Sequence, residues 1–340
     1  MNSTPLSLPM ARASRRGLQA SLLPLAVALL LAALPAFMSS YSADLVLRIM
    51  VYAIFALSLE LLVGTTGLVS LGHAGFFGIA AYVTVLASGD NAASVFWLLP
   101  ASMLAAGLYA LVTGALSLRT RGVYFIMVTL AFAQMAYFVF HDTPVGGGSD
   151  GIFLTSRPVL ALGGITLLDL EKSGHVYYLA LACLVGTYAL LAAVLRSRFG
   201  HALAGIRINE QRMRAAGFNT YFYKLAAFVL AAMLAGVAGF LMAAKNGAVN
   251  PELLSWHESG GVLMMIILGG MGSLRGAVLG AVAFVLLKEF YASSAIFGAF
   301  AERWQLTLGL TMILFVALLP QGLIGLTRRF KRSPESHHAH

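Results

Sequence analysis

The chain has 340 residues, 59% of them hydrophobic and only 10% charged, with a mean hydropathy of +0.86. A soluble domain carries about 25% charged residues, so too few charges remain here to coat a globule of this size, and the bulk solvent is lipid. The net charge of +9 does not mark a nucleic-acid binder, because the basic residues fall into short clusters between apolar runs, the footprint of the positive-inside rule.

Arg12, Arg15 and Arg16 precede the first apolar run, Leu22 to Met38. That run is longer than a usual signal core, although Leu34-Pro35-Ala36 weakly resembles a cleavage region; a retained first helix is expected. A spanning helix needs about 20 mainly apolar residues. Candidates lie near 21–38, 45–63, 66–88, 95–117, 122–140, 176–195, 225–243, 259–271, 275–291 and 303–320. The third and eighth could be half-helices or re-entrant segments. The expected fold is an all-α, polytopic integral membrane protein of about ten transmembrane segments with glycine-broken helices. Residues 1–20 form a basic N-terminal segment, 21–325 the membrane domain, and 326–340 a basic tail.

Charge sets the expected orientation. With the N-terminus inside and every segment crossing, most of the 22 Lys and Arg lie inside, and only Arg48, Arg157, Lys172, Lys245, Lys288 and Arg303 lie opposite. The basic asymmetry supports N-in and C-in. Eight crossings would satisfy it as well as ten.

The second and third runs join in LSLELLVGTTGLVSLGHAGFFGIAAY, Leu57 to Tyr82: an apolar helix, a glycine-rich break and another apolar helix. Broken backbone at membrane depth survives only where protein or a water-filled cavity satisfies its polar groups. Gly64, Gly67, Gly72, Gly75 and Gly78 permit tight turns and close helix approach, and Thr65, Thr66 and Ser70 can satisfy the freed carbonyls. Glu60, an ionisable residue in a span, either caps the broken backbone or meets a substrate amine along a path. His73 is either a packed, hydrogen-bonded residue or a path-lining donor. In the fifth run, Thr129 and Gln134 suit interhelical hydrogen bonds as well as substrate contact. Near the C-terminal end, Gly269-Gly270-Met271-Gly272-Ser273-Leu274-Arg275-Gly276 makes a second break. The two breaks do not occupy equivalent places in an inverted five-plus-five repeat, so their likeness is shared physics rather than duplication.

Two connections are long. The outer one, about 141–175, carries Gly146-Gly147-Gly148-Ser149-Asp150-Gly151 and reads as a turn-rich connector or a docking surface. The cytoplasmic one, about 197–224, is SRFGHALAGIRINEQRMRAAGFNTYFYK. Ala202, Leu203, Ile206, Met213 and Ala216 can form one apolar side of short helices, and Arg207, Asn209, Glu210, Arg212 and Arg214 a charged side. Such a segment lies on the membrane or docks on a partner; in a chain already held by many spans, docking is favoured. The chain carries no phosphate-cradling loop, no Cys/His metal spacing and no nucleophile elbow, so enzyme readings have little support. Cys183, the single cysteine, excludes an internal disulfide framework and sits among apolar residues.

The string LVGTTGLVSLGHAGFFGIAAY closely resembles the signature of permease subunits of branched-chain amino acid ABC transporters. Arg121-Gly122-Val123-Tyr124-Phe125 with Met127 to Ala131, the stretch Ser197 to Phe228, and Gly269 to Gly280 resemble three further blocks, in order, so the resemblance covers about residues 45–325. It implies one permease half of an importer in the bacterial inner membrane, with no cofactor of its own. It further implies a sister permease, two cytoplasmic ATP-binding subunits and an extracytoplasmic substrate-binding protein. Under it, Arg198, Gly200, Arg207, Asn209, Glu210 and Gly217 match positions that couple to the ATPase. The translocation path is expected near Glu60, Gly64, Thr66, Gly67, Ser70, Gly72, His73, Gly75, Thr129, Gln134, Gly269, Gly270 and Gly272. Urea or short amides are the rival cargo within the family. A stand-alone secondary transporter or channel is the rival class, disfavoured by the amphipathic loop and the shortage of intramembrane ionisable residues.

Overall fold

The computed structural model describes residues 26–36, 38–89, 93–162, 165–293, 297–319 and 321–325. The expected N-terminal segment 1–20, the tail 326–340 and the ends of the first apolar run lie outside them. The chain divides into two units, residues up to Leu45 and residues from Val46 onward. In the first unit, residues 26–33 form helix α1 and Leu34–Ala36 a 3-10 turn.

The remaining apolar runs are all helical. α2 spans Ser40–Glu60, beginning in the first unit and continuing through the second, and runs on into a π-helical turn, Leu61–Thr66. Then come α3 (His73–Ser88), α4 (Val95–Ser117), α5 (Val123–Asp142) and α6 (Ser173–Arg196). The connection after α6 forms α7 (Arg198–Ile208) and α8 (Glu210–Ala215). α9 (Thr220–Asn246), α10 (Trp256–Gly269), α11 (Leu274–Ala292) and α12 (Trp304–Leu318) complete the order.

The chain is an all-helical membrane protein, but its apolar runs are not all spans. Among the described residues six helices are long and apolar enough to cross a bilayer: α2 with its π turn, α4, α5, α6, α9 and α12 with its extension to Gly325. α10 and α11 are bent by 116° at the second glycine break and add a seventh if the pair counts as one crossing. α3, with 16 residues, rises only about 24 Å against a hydrocarbon core of about 30 Å. A count of about ten treats the first apolar run (21–38), α3, α10 and α11 as full spans as well; hydropathy registers an apolar run whether or not it is long enough to cross.

Packing separates central helices from lipid-facing ones. The most apolar windows of α2 and α9 are each 78% buried, whereas those of α4, α5, α6 and α12 are between 22% and 33% buried. α9 packs against both α3 and α4, which also touch each other. Its small residues make this possible: Gly239 faces the Phe77 carbonyl of α3, and Gly236 faces Met103 and Ala106 of α4. Without a hydrophobic drive between helices in lipid, such backbone approach supplies the van der Waals contact that holds them. Phe55 of α2 stacks on Phe77 of α3 at 4.7 Å, and Phe76 meets Phe228 of α9 edge-on at 5.3 Å.

The connection after α5 is more ordered than a run of turns. β1 (Ile152–Phe153) pairs antiparallel with β4 (Ala248–Val249), so the connection after α5 is laced to the one after α9. β2 (Val159–Leu162) pairs antiparallel with β3 (Ile165–Asp169). Val159, Ile165 and Thr166 are the few β-formers in these short strands, a signal that a count of turn formers passes over.

Candidate functional site: two helix breaks joined to the cytoplasmic loop

The first break begins where α2 loosens into its π turn. The Thr65 hydroxyl donates to the Leu61 carbonyl, and the Thr66 hydroxyl to the Leu62 carbonyl at 2.6 Å. Both carbonyls are thereby satisfied, as their placement in sequence suggests. The turn ends at Gly67, whose φ of +73° would strain any side-chain-bearing residue. In the irregular stretch that follows, Ser70 accepts the Gly72 N–H at 3.2 Å instead of serving a carbonyl. His73 opens α3 wholly buried, stacked on Phe55 at 5.5 Å and edge-on to Phe76 at 5.6 Å. Ser58 donates to the Phe55 carbonyl at 2.7 Å and lies 2.8 Å from His73 Nε2. The serine proton being thus occupied, Nε2 is the donor to Ser58, and the buried Nδ1 is left without a partner.

The second break is brought against the first. Glu60, 3% exposed at the end of α2, accepts the Gly272 N–H through Oε1 at 2.6 Å, and the Ser273 N–H also bonds its carboxylate. A Cβ built on Gly64 would strike the Glu60 carboxylate and lie 3.2 Å from Gly272 Cα, so the two breaks touch through glycine. The contact is reciprocated: Ser259 of α10, fully buried, accepts the Ala74 N–H of α3 at 2.9 Å. Each break starts a new helix whose first N–H groups are only partly satisfied in their own segment, where Ser273 Oγ accepts the Gly276 N–H of α11 and the Gly72 carbonyl the Gly75 N–H of α3. α2 supplies the acceptor for α11, and α10 supplies it for α3. The positive end of the α11 dipole also favours the carboxylate that caps it.

The α7–α8 loop joins this pair. Ser197 caps α7 by accepting the Gly200 N–H at 3.3 Å, and Asn209 caps α8 by accepting the Arg212 N–H at 2.9 Å. The apolar side foreseen for these helices is turned onto the membrane domain. Ala202, Leu203 and Ile206 are buried, with α7 packed against the π turn, α6 and α9, and Met213 lies over Gly205. Ala216 stays exposed. Arg207 reaches inward, its Nη1 donating to the Gly64 carbonyl and its stem lying beside Gly67. Glu210 accepts from Lys224 Nζ at 2.7 Å, from Arg214 Nη2 at 2.6 Å and from the Thr220 hydroxyl at 3.0 Å, fastening α8 to the start of α9. Burial would raise the Glu210 carboxyl, but the hydrogen bond and charge of Lys224, with Thr220 and Arg214, outweigh it and hold it down at about 2.

The other residues of the expected site fall into two groups. Gly72 lies against the Thr129 backbone and Gly75 against Ala133, so both serve the contact of α3 with α5. Thr129 donates to the Ile126 carbonyl of its own helix at 2.9 Å, and Gln134 Oε1 is buried without a partner. Gly269 faces the Gly276 backbone, and Gly270 lies beside Gln321 and Gly322. Gly200 sits in the corner between α6 and α7, against Leu195, and Gly217 ends α8. Arg198 points to solvent. Sequence reading passed over Ser259, whose one signal is a serine among apolar helix residues, and Ile208, 83% exposed at the corner between α7 and α8. An apolar groove of about 600 Å³ between α10 and α12, lined by Met264, Ile267, Leu268, Met312 and Ile313, offers no charged group for the ends of an amino acid.

The family model for the permease component of branched-chain amino acid transport systems matches residues 41–317, a span that includes both breaks and the α7–α8 loop. The chain belongs to this family. The permease is 32% identical over 322 residues to the high-affinity branched-chain amino acid transport system permease protein LivM of Escherichia coli, covering 89% of the permease and 74% of that relative. It is 31% identical to LivM of Salmonella typhimurium over 323 residues, with 89% and 75% covered. BraD of Pseudomonas aeruginosa, named for the same transport activity, is 22% identical over 289 residues, covering 81% of the permease and 91% of BraD. No solved structure gives a significant match. With its family and its long apolar helices, the permease is a multi-pass membrane protein.

Proposed function

We propose that the permease is one transmembrane half of an ABC importer that carries leucine, isoleucine, valine or a close relative across the bacterial inner membrane. The other half of the path comes from a sister permease, the energy from two cytoplasmic ATP-binding subunits, and the cargo from an extracytoplasmic binding protein. The path runs beside the two breaks, where Glu60, Gly64, Thr66, Gly67 and Gly272 meet. The N- and C-termini are cytoplasmic, and the α7–α8 loop faces the ATPase with the side bearing Arg198, Ile208 and Arg212. About ten segments enter the bilayer in this reading, with α3, α10 and α11 as partial crossings.

The observation that carries it is a family match running unbroken through both breaks and the loop between them. Two features support it. The loop has its apolar side spent on its own membrane domain and its charged side outward, as a surface for a soluble partner requires. The sequence also has no nucleotide site of its own, so energy must come from another subunit.

The test is reconstitution with the partner subunits and the soluble binding protein in liposomes. Accumulation of labelled leucine driven by internal or external ATP, according to orientation, is the expected result. Accumulation by the permease alone without nucleotide would overturn the importer reading. Binding of urea or an amide, rather than leucine, by the soluble partner would overturn the cargo.

A further inference from the structure

Resting on the importer reading, we infer that Arg207 and Glu60 are positioning residues for transport: together they fasten the cytoplasmic helix α7 to both helix breaks, so that α7 and the breaks move as one body. The inference rests on three hydrogen bonds in series. Arg207 Nη1 donates to the Gly64 carbonyl, inside the π turn where the regular helix ladder has failed. Glu60, one turn before Gly64, accepts the Gly272 N–H at 2.6 Å across a sequence separation of 212 residues. Ser259 closes the circuit from α10 to the first residues of α3 at 2.9 Å.

Arg207 suits this task. Its guanidinium stays charged at any physiological pH, so the link does not depend on titration. The carbonyl it holds belongs to the same π turn that positions Glu60, and it acts electrostatically on Glu60 as well. The rest of α7 is buried against that turn through Ala202, Leu203 and Ile206, so a push on the helix cannot be absorbed by sliding alone. Gly67 leaves room for the Arg207 stem, 3.4 Å from where a Cβ would stand. Neither Glu60 nor Arg207 need touch the cargo for this role.

The experiment uses the complete importer, reconstituted with its partner subunits and binding protein, and reads leucine uptake and ATP hydrolysis together. Arg207→Met is expected to lower uptake about tenfold or more, the effect of removing a charge-assisted bond to a buried acceptor, while ATP hydrolysis persists. Molecules of ATP spent per leucine therefore rise. Arg207→Lys, whose ammonium still approaches the carbonyl, restores part of the ratio. Glu60→Gln keeps an acceptor oxygen and most of the uptake; Glu60→Ala behaves as Arg207→Met does. Arg207→Met combined with Glu60→Ala is no worse than the poorer single variant, because links in series are non-additive.

A second measurement does not depend on these variants folding. In a Cys183→Ser background, spin labels at Ile208→Cys and Met271→Cys occupy two exposed positions, 83% and 57% accessible. One position is on α7 and the other in the second break. Their separation is expected to stay constant when the importer is trapped with nucleotide. A change approaching one helical turn, about 5 Å, or an Arg207→Met importer with the parental ratio of ATP to leucine, overturns the inference. A parental importer that hydrolyses ATP but accumulates no leucine sinks the cargo reading instead, and the label separation still tests the link.

Discussion

Glu210 offers the sharpest test of what the α7–α8 loop is fastened to. If its carboxylate chiefly met a partner, replacing it would leave the isolated permease unchanged. The structure instead has it fasten α8 to α9 through Lys224, Arg214 and Thr220. A carboxyl held at about 2 rather than 4.5 contributes at most about 3 kcal/mol. The Glu210 side chain is 24% exposed and that of Arg214 50% exposed, so solvent screening reduces this to about 2 kcal/mol. Glu210→Ala should therefore raise local opening of residues 209–220 about 30-fold.

Hydrogen exchange read by mass spectrometry on the detergent-purified permease, with no partner present, measures this opening directly. The sign with pH is fixed by the lowered carboxyl. Its contribution is complete above the ordinary value of 4.5 and lost as pH falls through about 2. Once intrinsic chemical exchange is corrected for, protection of the loop should be flat between pH 5 and pH 8. Protection within about threefold of parental in Glu210→Ala would refute the staple and return Glu210 to the partner-facing surface.

Gly239→Leu should lower the melting temperature of the purified permease by several degrees or abolish its accumulation, since even a Cβ there strikes the Phe77 carbonyl, which cannot yield; overpacking of this kind costs about 1–3 kcal/mol or more. Gly64→Ala should displace the Glu60 carboxylate from Gly272 and reduce leucine uptake more than it reduces the amount of protein in the membrane, measured by transport normalised to immunoblot. In a Cys183→Ser background, Ile208→Cys should react with an impermeant maleimide only from the cytoplasmic side and Phe153→Cys, at a position 72% exposed, only from the opposite side; the reverse pattern would invert the orientation.

The helices were legible because lipid makes one demand of a spanning segment, a run of apolar residues, and α4 occupies Val95–Ser117, the predicted 95–117. Both breaks were legible as glycine clusters in such runs. Their meeting was not. Glu60 and Gly272 are 212 residues apart, Ser259 and Ala74 185 apart, and nothing in hydropathy or periodicity ties one glycine cluster to another. A capping role for Glu60 could be argued from its distance to Gly64, but the helix it caps could not. Arg207 was read as part of an outward charged side, as charged residues on an amphipathic helix ordinarily face water, and the residue does stay exposed; what periodicity could not give is that its long side chain bends back to the Gly64 carbonyl. The strand pairs were hidden because two to five residues of β pattern are weak beside runs of twenty.

The reciprocal capping has a physical logic that belongs to membranes. A break in a soluble helix leaves its N–H groups to water, at little cost. In the bilayer each unsatisfied group costs several kcal/mol, so a single broken helix needs a partner that brings acceptors. A second broken helix has the same need, and placing the two in contact lets each supply the other. Glu60 and Ser259 are the two acceptors, one a carboxyl and one a hydroxyl. The carboxyl lies on the side of Arg207 and the start of α11. The arrangement also confers a property that neither break has alone. Straightening or rotating one would strip the cap from the other, so opening or closing the two together is favoured. Under the proposed function, a path beside two such segments would switch between discrete states rather than leak through intermediates, as alternating exposure of a cargo to the two sides of a membrane demands.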